Sequence, residues 1–286
     1  MKVGLSVNGI GSKSLDLENL KKMKASGIDT VEISLGRDLS LALDYDGLKK
    51  SADEAGIELW SFHLPFMPFA EIDVSSTDEK IRTCSIDMLS DMMRKSSKIG
   101  IKRFVIHPSG EPISDLDREA RMAAAKKSLA LLGALAARLG SVLCVENLPR
   151  TCLGRNSAEI LELISAHESL RVCFDTNHLL EEDITDFIRK TGAKIETIHV
   201  SDYDKLNERH WLSGEGCIDW QSLYSELLSV GYSGAWLYEL HLEAPPSIIR
   251  PRDLEFSDFR ANAEEIFSGK EPTRIGVPAE NLTSWR

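Results

Sequence analysis

The sequence predicts an α/β fold, a closed (β/α)8 TIM barrel in a single domain that spans residues 1–286. Three observations support this prediction: strand-like segments alternate with amphipathic helical segments, the alternation occurs eight times, and no linker rich in proline and glycine divides the chain. An open doubly wound sheet is the alternative. The segment NGIGSKS after the first strand is only a weak relative of the glycine-rich phosphate loop typical of that fold.

Eight segments are predicted to be strands because they are short and rich in β-branched or aromatic residues. In chain order they are KVGLSV, TVEISL, ELWSFHL, RFVIHP, VLCVEN, RVCFDT, TIHVSD and AWLYEL. The segments between them carry apolar residues at helical spacing. Several end in a glycine such as Gly27, Gly56 or Gly100, which is the expected helix stop.

The remaining segments are predicted to be loops and a tail. The loops at residues 66–79 and 242–256 are long enough to cover a site. The tail from about residue 270 to residue 286 lacks periodicity, and we expect it to wrap the outside of the barrel or to meet another subunit. A homodimer is therefore one expected assembly.

The composition predicts a cytoplasmic protein without a nucleic-acid or membrane partner. The formal net charge is −11 and the pI is about 5.2, so the surface repels a phosphate backbone. Five cysteines without a C-x-x-C pair favour reduced thiols over a disulfide framework or a thiolate zinc knuckle. We expect no secretory signal, because the first residues lack a basic segment followed by a long apolar run. No apolar stretch approaches the roughly 20 residues of a membrane span.

Reactive side chains accumulate at the ends of successive predicted strands. From strand three to strand eight, together with the loops that follow, they are His63, His107, Glu146, Asp175, His178, His199, Glu208, His210 and Glu239. Active-site groups of a TIM barrel lie at the carboxyl ends of the strands and in the loops after them. Because neighbouring strands are about 4.8 Å apart, these groups are predicted to converge at one mouth of the barrel.

Four of these residues form a predicted metal site. They come from the ends of strands five to eight and comprise Glu146, Asp175, His199 and Glu239. Three carboxylates and one imidazole suit a divalent ion such as Mn²⁺, Zn²⁺, Co²⁺ or Fe²⁺. Burying so many acids without a cation would be costly because they repel each other.

Other residues allow two interpretations at this point. Glu32 at the end of strand two fits a loop cap or an ion-pair partner as well as a functional group. His63 and His107 fit packing or substrate hydrogen bonds as well as metal ligation. Cys144 and Cys173 each precede an acid by two residues and are predicted to be small core residues inside the barrel.

Five short motifs resemble those of the sugar phosphate isomerase/epimerase family, part of the xylose isomerase-like barrel superfamily and related to endonuclease IV. They are VEN at 145–147, FDTNH at 174–178, HVSDYD at 199–204, GEGCIDW at 214–220 and YEL at 238–240. The resemblance implies that Glu146, Asp175, His199 and Glu239 are the ligands of one divalent ion, with Mn or Zn favoured and Co, Fe or Mg also compatible. It further implies that Glu146 and Glu239 are the acid/base pair.

The resemblance also implies contacts with the substrate. His178 corresponds to the family's substrate-binding histidine, and His63, His107, Arg209 and His210 are further candidates. Ketose 3-epimerases carry an arginine where this chain has His210. The same positions also resemble the three-zinc site of endonuclease IV, in which the additional ligands would be His63, His107, His178, Glu208 and His210, with Glu208 in place of an aspartate.

The predicted function is a divalent-metal-dependent isomerase or epimerase of a sugar, a sugar phosphate or an inositol derivative. It would work by glutamate-mediated proton transfer through a metal-stabilised enediolate. One alternative is a zinc-dependent endonuclease for abasic sites in DNA, which the net charge of −11 disfavours. Another is a barrel that binds a sugar or a metal without catalysis.

Overall fold

The computed structural model describes residues 1–7 and 15–285, so the segment NGIGSKS at residues 8–14 lies outside the described residues. Eight strands form one sheet with strand order β7-β6-β5-β4-β3-β2-β1-β8. They are β1 Val3–Ser6, β2 Thr30–Ser34, β3 Glu58–His63, β4 Arg103–Ile106, β5 Val142–Glu146, β6 Leu170–Asp175, β7 Ile195–His199 and β8 Trp236–Tyr238.

All neighbouring pairs in this sheet are parallel, and the sheet closes on itself between β7 and β8. A parallel bridge joins Val200 to Tyr238. The Val200 amide donates to the Leu237 carbonyl at 2.8 Å, and the Glu239 amide donates to the Val200 carbonyl at 3.1 Å. The predicted (β/α)8 barrel is therefore confirmed.

Helices alternate with the strands, as the helical patterns predicted. Their bounds are α1 Leu17–Ala25, α2 Arg37–Leu41, α3 Tyr45–Ala55, α4 Glu79–Lys98, α5 Arg118–Arg138, α6 Ser157–Ile164, α7 Ile184–Thr191, α8 Trp220–Ser229 and α9 Phe256–Phe267. Most begin with a side-chain cap that accepts a first-turn amide, as Asp16 does for α1. Gly56 ends α3 with φ of +70°, a left-handed conformation that glycine adopts at little cost.

Two shifts in strand register align the side chains at the carboxyl end. Between β2 and β3, Val31 pairs with Leu59 but Glu32 pairs with Ser61, so that Trp60 is an extra residue. Between β6 and β7, Val172 pairs with Ile195 but Cys173 pairs with Thr197, so that Glu196 is an extra residue. Such shifts redirect the side chains that follow them, and here Asp175 and His199 become direct neighbours.

The interior of the barrel contains a small cluster of Val105, Cys144 and Cys173, all with no exposed surface. The prediction that both cysteines are core residues is confirmed, and all five cysteines are free. Most other apolar residues pack in one large cluster that includes both strand and helix residues. Among the described residues, none of the helices combines the length and apolar character needed to span a bilayer.

The tail packs back onto its own barrel. Two short antiparallel strands, β9 Ile248–Ile249 and β10 Val277–Pro278, attach it to the segment after β8. Farther along, the Trp285 amide donates to the Leu206 carbonyl at 3.0 Å, and the Arg209 guanidinium donates to the Thr283 carbonyl at 2.7 Å. The tail therefore braces the loop that follows β7, which carries Glu208 and His210.

Candidate functional site

Four side chains at the carboxyl end of the barrel lie close enough to share one ion. Glu146, Asp175 and His199 are the last residues of β5, β6 and β7, and Glu239 follows β8 directly. One ligand atom from each lies within 4.8 Å of the others. All four side chains are buried, and Glu239 is the most exposed at 5%. The structure thus brings together the four residues that the sequence predicted to bind a metal.

The Nδ1 nitrogen of His199 is the meeting point of three carboxylates. It lies 2.8 Å from Glu239 Oε2, 3.2 Å from Glu146 Oε1 and 3.8 Å from Asp175 Oδ2. The buried Oδ2 atom of Asp175 accepts no hydrogen bond within the described part of the chain. Donors held about 2.1 Å from a tetrahedral ion lie about 3.4 Å apart, so this set fits a divalent cation.

The electrostatics of the set also fit a cation. Burial, together with the negative charges of Glu146 and Glu239, raises the pKa of Asp175 to about 6. Burial alone would also raise the pKa of Glu239, but the charge and hydrogen bond of His199 lower it below its ordinary value. Buried acids of like charge are unstable together unless a positive charge compensates them.

Asn147 holds two members of the site, and the sequence had not singled it out as a functional residue. Its side-chain amide donates to the Asp175 carbonyl at 2.9 Å, and its Oδ1 accepts the Asp175 amide at 2.7 Å. Its backbone carbonyl lies 3.0 Å from Nδ1 of His178. Asn147, the last residue of the VEN motif, therefore fixes the position of the FDTNH segment. Its place in that motif was the feature of the sequence that could have revealed this role.

Glu32 belongs to the site as well. Its carboxylate lies 3.1 Å from Nε2 of His199, the nitrogen that faces away from the other acids. Glu32 and His199 have no exposed surface. Of the two interpretations open for Glu32, the structure supports that of an ion-pair partner. The residue with which Glu32 pairs, His199, is itself a candidate metal ligand. The feature of the sequence that indicated a role for Glu32 was its position as an acid at the end of an apolar strand.

His63 and His107 both contact Glu146. Their Nε2 atoms lie 3.0 Å and 3.3 Å from Oε2 of Glu146. Burial alone would lower the pKa of His63, but Glu146 outweighs it and raises the pKa to about 9. Burial dominates at His107 and lowers its pKa. The ring of Phe66 stacks on His107 with 3.9 Å between the ring centroids.

A second group of potential ligands lies at the rim of the mouth and comprises His178, Glu208 and His210. Nε2 of His178 lies 3.2 Å from Oε2 of Glu208. Burial alone would raise the pKa of Glu208, but His178 and Arg150 lower it below its ordinary value. His210 has a φ of +52°, and its Nδ1 lies 3.1 Å from the Glu239 carbonyl. A left-handed backbone at a residue other than glycine is strained and is common at functional sites.

The side chain of Arg209, which the sequence predicted to contact the substrate, is not among those that line the cavity. Its Nε donates to Asp204 at 2.9 Å and another nitrogen donates to the tail. The arginine on the cavity wall is Arg150, which the sequence did not single out. Arg150 donates to Glu208 at 2.6 Å and to Glu111 at 2.5 Å. These contacts join three loops that are distant in sequence, so no local pattern could have revealed them.

These residues enclose a cavity of about 360 Å³ at the carboxyl end of the barrel. One wall is largely apolar and is formed by Phe66, Met67, Phe69, Leu148 and Pro149. The other walls carry the acids and imidazoles. A size of this order, with an apolar wall and a few convergent polar groups, is typical of a small-molecule site. A larger depression of about 630 Å³ lies between α5 and α6, but its lining contains no histidine or cysteine.

Comparison with known proteins gives three findings. The model of the family described as xylose isomerase-like TIM barrel matches residues 20–257. An uncharacterized protein of Methanocaldococcus jannaschii is 27% identical over 235 residues, which is 80% of this chain and 89% of that protein. A crystal structure of a D-tagatose 3-epimerase-like protein superimposes with a TM-score of 0.79 at 20% identity, covering 94% of this chain and 97% of the other.

A second solved structure is D-psicose 3-epimerase in the presence of D-fructose. It has a TM-score of 0.75 at 19% identity and covers 94% of this chain and 98% of the other. Another is 3-keto-D-glucoside 4-epimerase from E. coli, with a TM-score of 0.71 at 20% identity, covering 85% of this chain and 93% of that one. At these identities the similarity establishes a shared fold.

Proposed function

Because the chain belongs to the xylose isomerase-like TIM barrel family, we propose that it is a divalent-metal-dependent sugar isomerase or epimerase. The observation that carries the proposal is the arrangement of Glu146 and Glu239. Both carboxylates are buried, both line the cavity, and both lie within 3.2 Å of the same nitrogen of His199. Two acids on one candidate metal site provide a proton acceptor and a proton donor for a bound substrate.

Glu146, Asp175, His199 and Glu239 would hold the ion. Oxygen-rich sites with one imidazole suit Mn²⁺ or Zn²⁺, and Co²⁺, Fe²⁺ and Mg²⁺ remain compatible. A divalent ion held there would polarise a carbonyl group of the substrate and acidify the neighbouring C–H bond. The buried Oδ2 of Asp175, which accepts no hydrogen bond from the described residues, is the observation of this structure that supports such an ion.

The two glutamates would move the proton. Burial alone would raise the pKa of Glu146 and of Glu239, but His199, joined at Glu146 by His107, lowers both below the ordinary value. Each glutamate is therefore ionised at neutral pH and able to accept a proton. One glutamate would remove the proton from the carbon next to the carbonyl and leave an enediolate. The other glutamate would first take a proton from solvent and would then deliver it to the opposite face of that carbon, which is epimerisation. Return to the adjacent carbon would be isomerisation.

The remaining cavity residues would bind and orient the sugar. The pKa of His107 is lowered, so its ring is neutral and free to exchange hydrogen bonds with a hydroxyl group. His63, His178 and His210 lie around the same cavity or against its floor, and the apolar wall at Phe66 would exclude water. Exclusion of water strengthens the electrostatic interactions of the acids with the reacting atoms.

The comparisons support a ketose as the substrate class. The structures with similar folds are described as a D-tagatose 3-epimerase-like protein, a D-psicose 3-epimerase and a 3-keto-D-glucoside 4-epimerase. The net charge of −11 and the five free cysteines support a cytoplasmic enzyme that acts on a small sugar rather than on nucleic acid. A homodimer is the proposed assembly.

Solvent exchange tests the proposal. The protein loaded with Mn²⁺ or Zn²⁺ is incubated in D2O with a panel of ketoses, and deuterium at the carbon next to the carbonyl is measured by NMR. We expect Glu146→Gln and Glu239→Gln each to slow the exchange by about 10²- to 10⁴-fold. The matched control is Glu58→Gln, which changes a half-exposed glutamate at the start of β3 that pairs with Lys2. Wild-type exchange rates in both site variants would refute the proposal.

A second candidate function is favoured by one specific observation. Beyond the four-residue set, His63 and His107 lie on Glu146, and His178, Glu208 and His210 form a separate group. This arrangement could hold more than one zinc ion, as expected for an enzyme related to endonuclease IV that hydrolyses phosphodiesters. Metal analysis of the purified protein counts the ions. Zinc-dependent cleavage of a duplex with an abasic site, without exchange on any ketose, would favour this second function.

A further inference from the structure

A buried contact crosses the interior of the barrel between Glu32 and His199. The two residues belong to β2 and β7, which are not neighbours in the sheet. Nε2 of His199 nevertheless lies 3.1 Å from Oε1 and 3.2 Å from Oε2 of Glu32. Within the described part of the chain, His199 is the only ion-pair partner of Glu32. The carboxylate of Glu32 therefore makes its described ion pair with this imidazole alone.

The carboxylate of Glu32 is itself held in place. The hydroxyl group of Ser61 donates to Oε2 of Glu32 at 2.7 Å, and neither residue has exposed surface. Ser61 faces Glu32 because the register between β2 and β3 shifts by one residue at Trp60. A register shift next to a candidate site is a typical means of redirecting a side chain. The position of Glu32 is thus fixed from the neighbouring strand.

The two nitrogens of His199 have different surroundings. Nδ1 faces Glu239, Glu146 and Asp175, whereas Nε2 faces Glu32. An imidazole binds a metal through the nitrogen that carries no proton, and the hydrogen bond made by the other nitrogen determines which one that is. Both nitrogens face carboxylates, so the ring can donate from either one while no ion is bound. A divalent ion among the acids would take the lone pair of Nδ1, and the acceptor at Nε2 would then hold the proton on Nε2.

We propose that Glu32 is a positioning residue that holds His199 with Nε2 protonated and Nδ1 directed at the candidate metal site. This inference rests on the proposed function, because it requires Glu146, Asp175, His199 and Glu239 to bind a divalent ion. Glu32 would contact neither the ion nor the substrate and would act on them through His199. Its contribution is to the affinity and geometry of the metal site.

Calorimetric titration with Mn²⁺ or Zn²⁺ tests this role without any substrate. Loss of a carboxylate that orients a ligating histidine typically weakens metal affinity by about 10- to 100-fold. We expect a loss of this size in Glu32→Ala and a smaller loss in Glu32→Gln, which keeps an acceptor oxygen. Glu58→Gln is the matched control, because Glu58 lies on the neighbouring strand β3 and pairs with Lys2 at the surface. Its affinity should equal that of the wild type.

NMR of ¹⁵N-histidine-labelled, zinc-loaded protein provides a readout that a merely structural role would not change. In the wild type we expect His199 to be protonated on Nε2, with a proton that exchanges slowly with water. In Glu32→Ala that proton should exchange rapidly. If Glu32→Ala does not fold, Glu32→Gln and Ser61→Ala replace it, and Ser61→Ala should weaken metal binding in the same direction but less.

The outcomes separate this inference from the proposed function. If the wild type binds no divalent ion, the proposed function fails, and the inference fails with it. If the wild type binds the ion and the folded Glu32 variants bind it equally well, with His199 in an unchanged tautomer, only the inference is overturned. Weaker binding in the Glu32 variants, with normal binding in Glu58→Gln, supports both.

Discussion

The two ends of the barrel differ in how the charges of their side chains are compensated. At the amino end, the guanidinium group of Arg103 donates to Glu196 at 2.9 Å and stacks 3.7 Å above the ring of Trp60. The indole of Trp60 donates to Thr197 at 3.0 Å across the barrel. The positive charge of Arg103 is thus paired with the negative charge of Glu196. The two residues that Arg103 contacts, Trp60 and Glu196, are the extra residues at the two register shifts.

At the carboxyl end, the negative charges outnumber their partners. Three carboxylates converge on Nδ1 of His199, and the carboxylate of Glu32 pairs with Nε2 of the same ring. Their described ion pairs are with imidazoles rather than with lysine or arginine. The difference indicates a division of labour. At the amino end Arg103 and Glu196 neutralise each other, whereas the acids and His199 at the carboxyl end form a group that could hold a metal ion.

The largest expected effect is on proton transfer at the carboxyl end. Glu239→Gln should slow deuterium exchange by about 10²- to 10⁴-fold, because it removes one of the two proton-transfer groups. The free energy of unfolding of the metal-free protein should fall as well, because the variant loses the ion pair with His199 that holds the pKa of Glu239 below its ordinary value. Exchange measured by NMR and urea unfolding check the two parts. A large loss in the free energy of unfolding, together with an unchanged rate of deuterium exchange, would show that Glu239 serves stability and not proton transfer.

Metal binding should produce the next largest effect. A ligand that binds only the folded state at 100 times its Kd adds about 2.7 kcal/mol to the free energy of unfolding. Mn²⁺ or Zn²⁺ should therefore raise the Tm of the wild type, and EDTA should reverse the rise. Asp175→Asn should lose most of it, while Glu58→Gln should keep it. Differential scanning calorimetry measures these shifts, and an equal rise in Asp175→Asn would place the ion elsewhere.

A change at the amino end should affect stability instead of chemistry. Arg103→Met removes the ion pair with Glu196 and the stacking on Trp60, so we expect a loss of about 2 kcal/mol in the free energy of unfolding. Metal affinity and deuterium exchange in the folded variant should match those of the wild type. Denaturant unfolding and calorimetric metal titration make the comparison. A drop in metal affinity would show that the two ends are coupled.

The smallest effect is expected at high pH. Tyr232 lies at the amino end, and burial raises its pKa well above the ordinary value. The folded state keeps the proton that the unfolded state loses above about pH 10, so this contribution to stability is present below pH 10 and falls as the pH rises further. Tyr232→Phe should reduce the slope of stability against pH by about 1.4 kcal/mol per unit in that range. Urea unfolding between pH 9 and pH 11 tests it, since an unchanged slope would contradict a buried, protonated Tyr232.

The sequence was sufficient to predict the barrel and most of its mouth. The eight strands lie where the apolar segments indicated, and the histidines and acids at their ends meet because parallel strands in a barrel present their carboxyl ends together. Helix α2 was not predicted, because five residues are too few to show a helical period.

Other features depend on contacts between distant parts of the chain. Arg209 was one of the predicted substrate contacts, but its side chain donates to Asp204 and to the tail, and the arginine that lines the cavity is Arg150. The role of Glu32 depends on a partner 167 residues away across the barrel. Neither outcome has a periodic signature, since both arise only when the sheet closes.

The extra residues Trp60 and Glu196 have a consequence for how such a protein can change over time. Side chains on a strand alternate between its two faces, so a deletion of one residue turns those on one side of it to the opposite face. Loss of the codon for Trp60 or for Glu196 would thus turn Ser61 or His199 away from its present contacts, although no residue of the site had been substituted. Strand length is as much a part of this chemistry as the identity of the ligands.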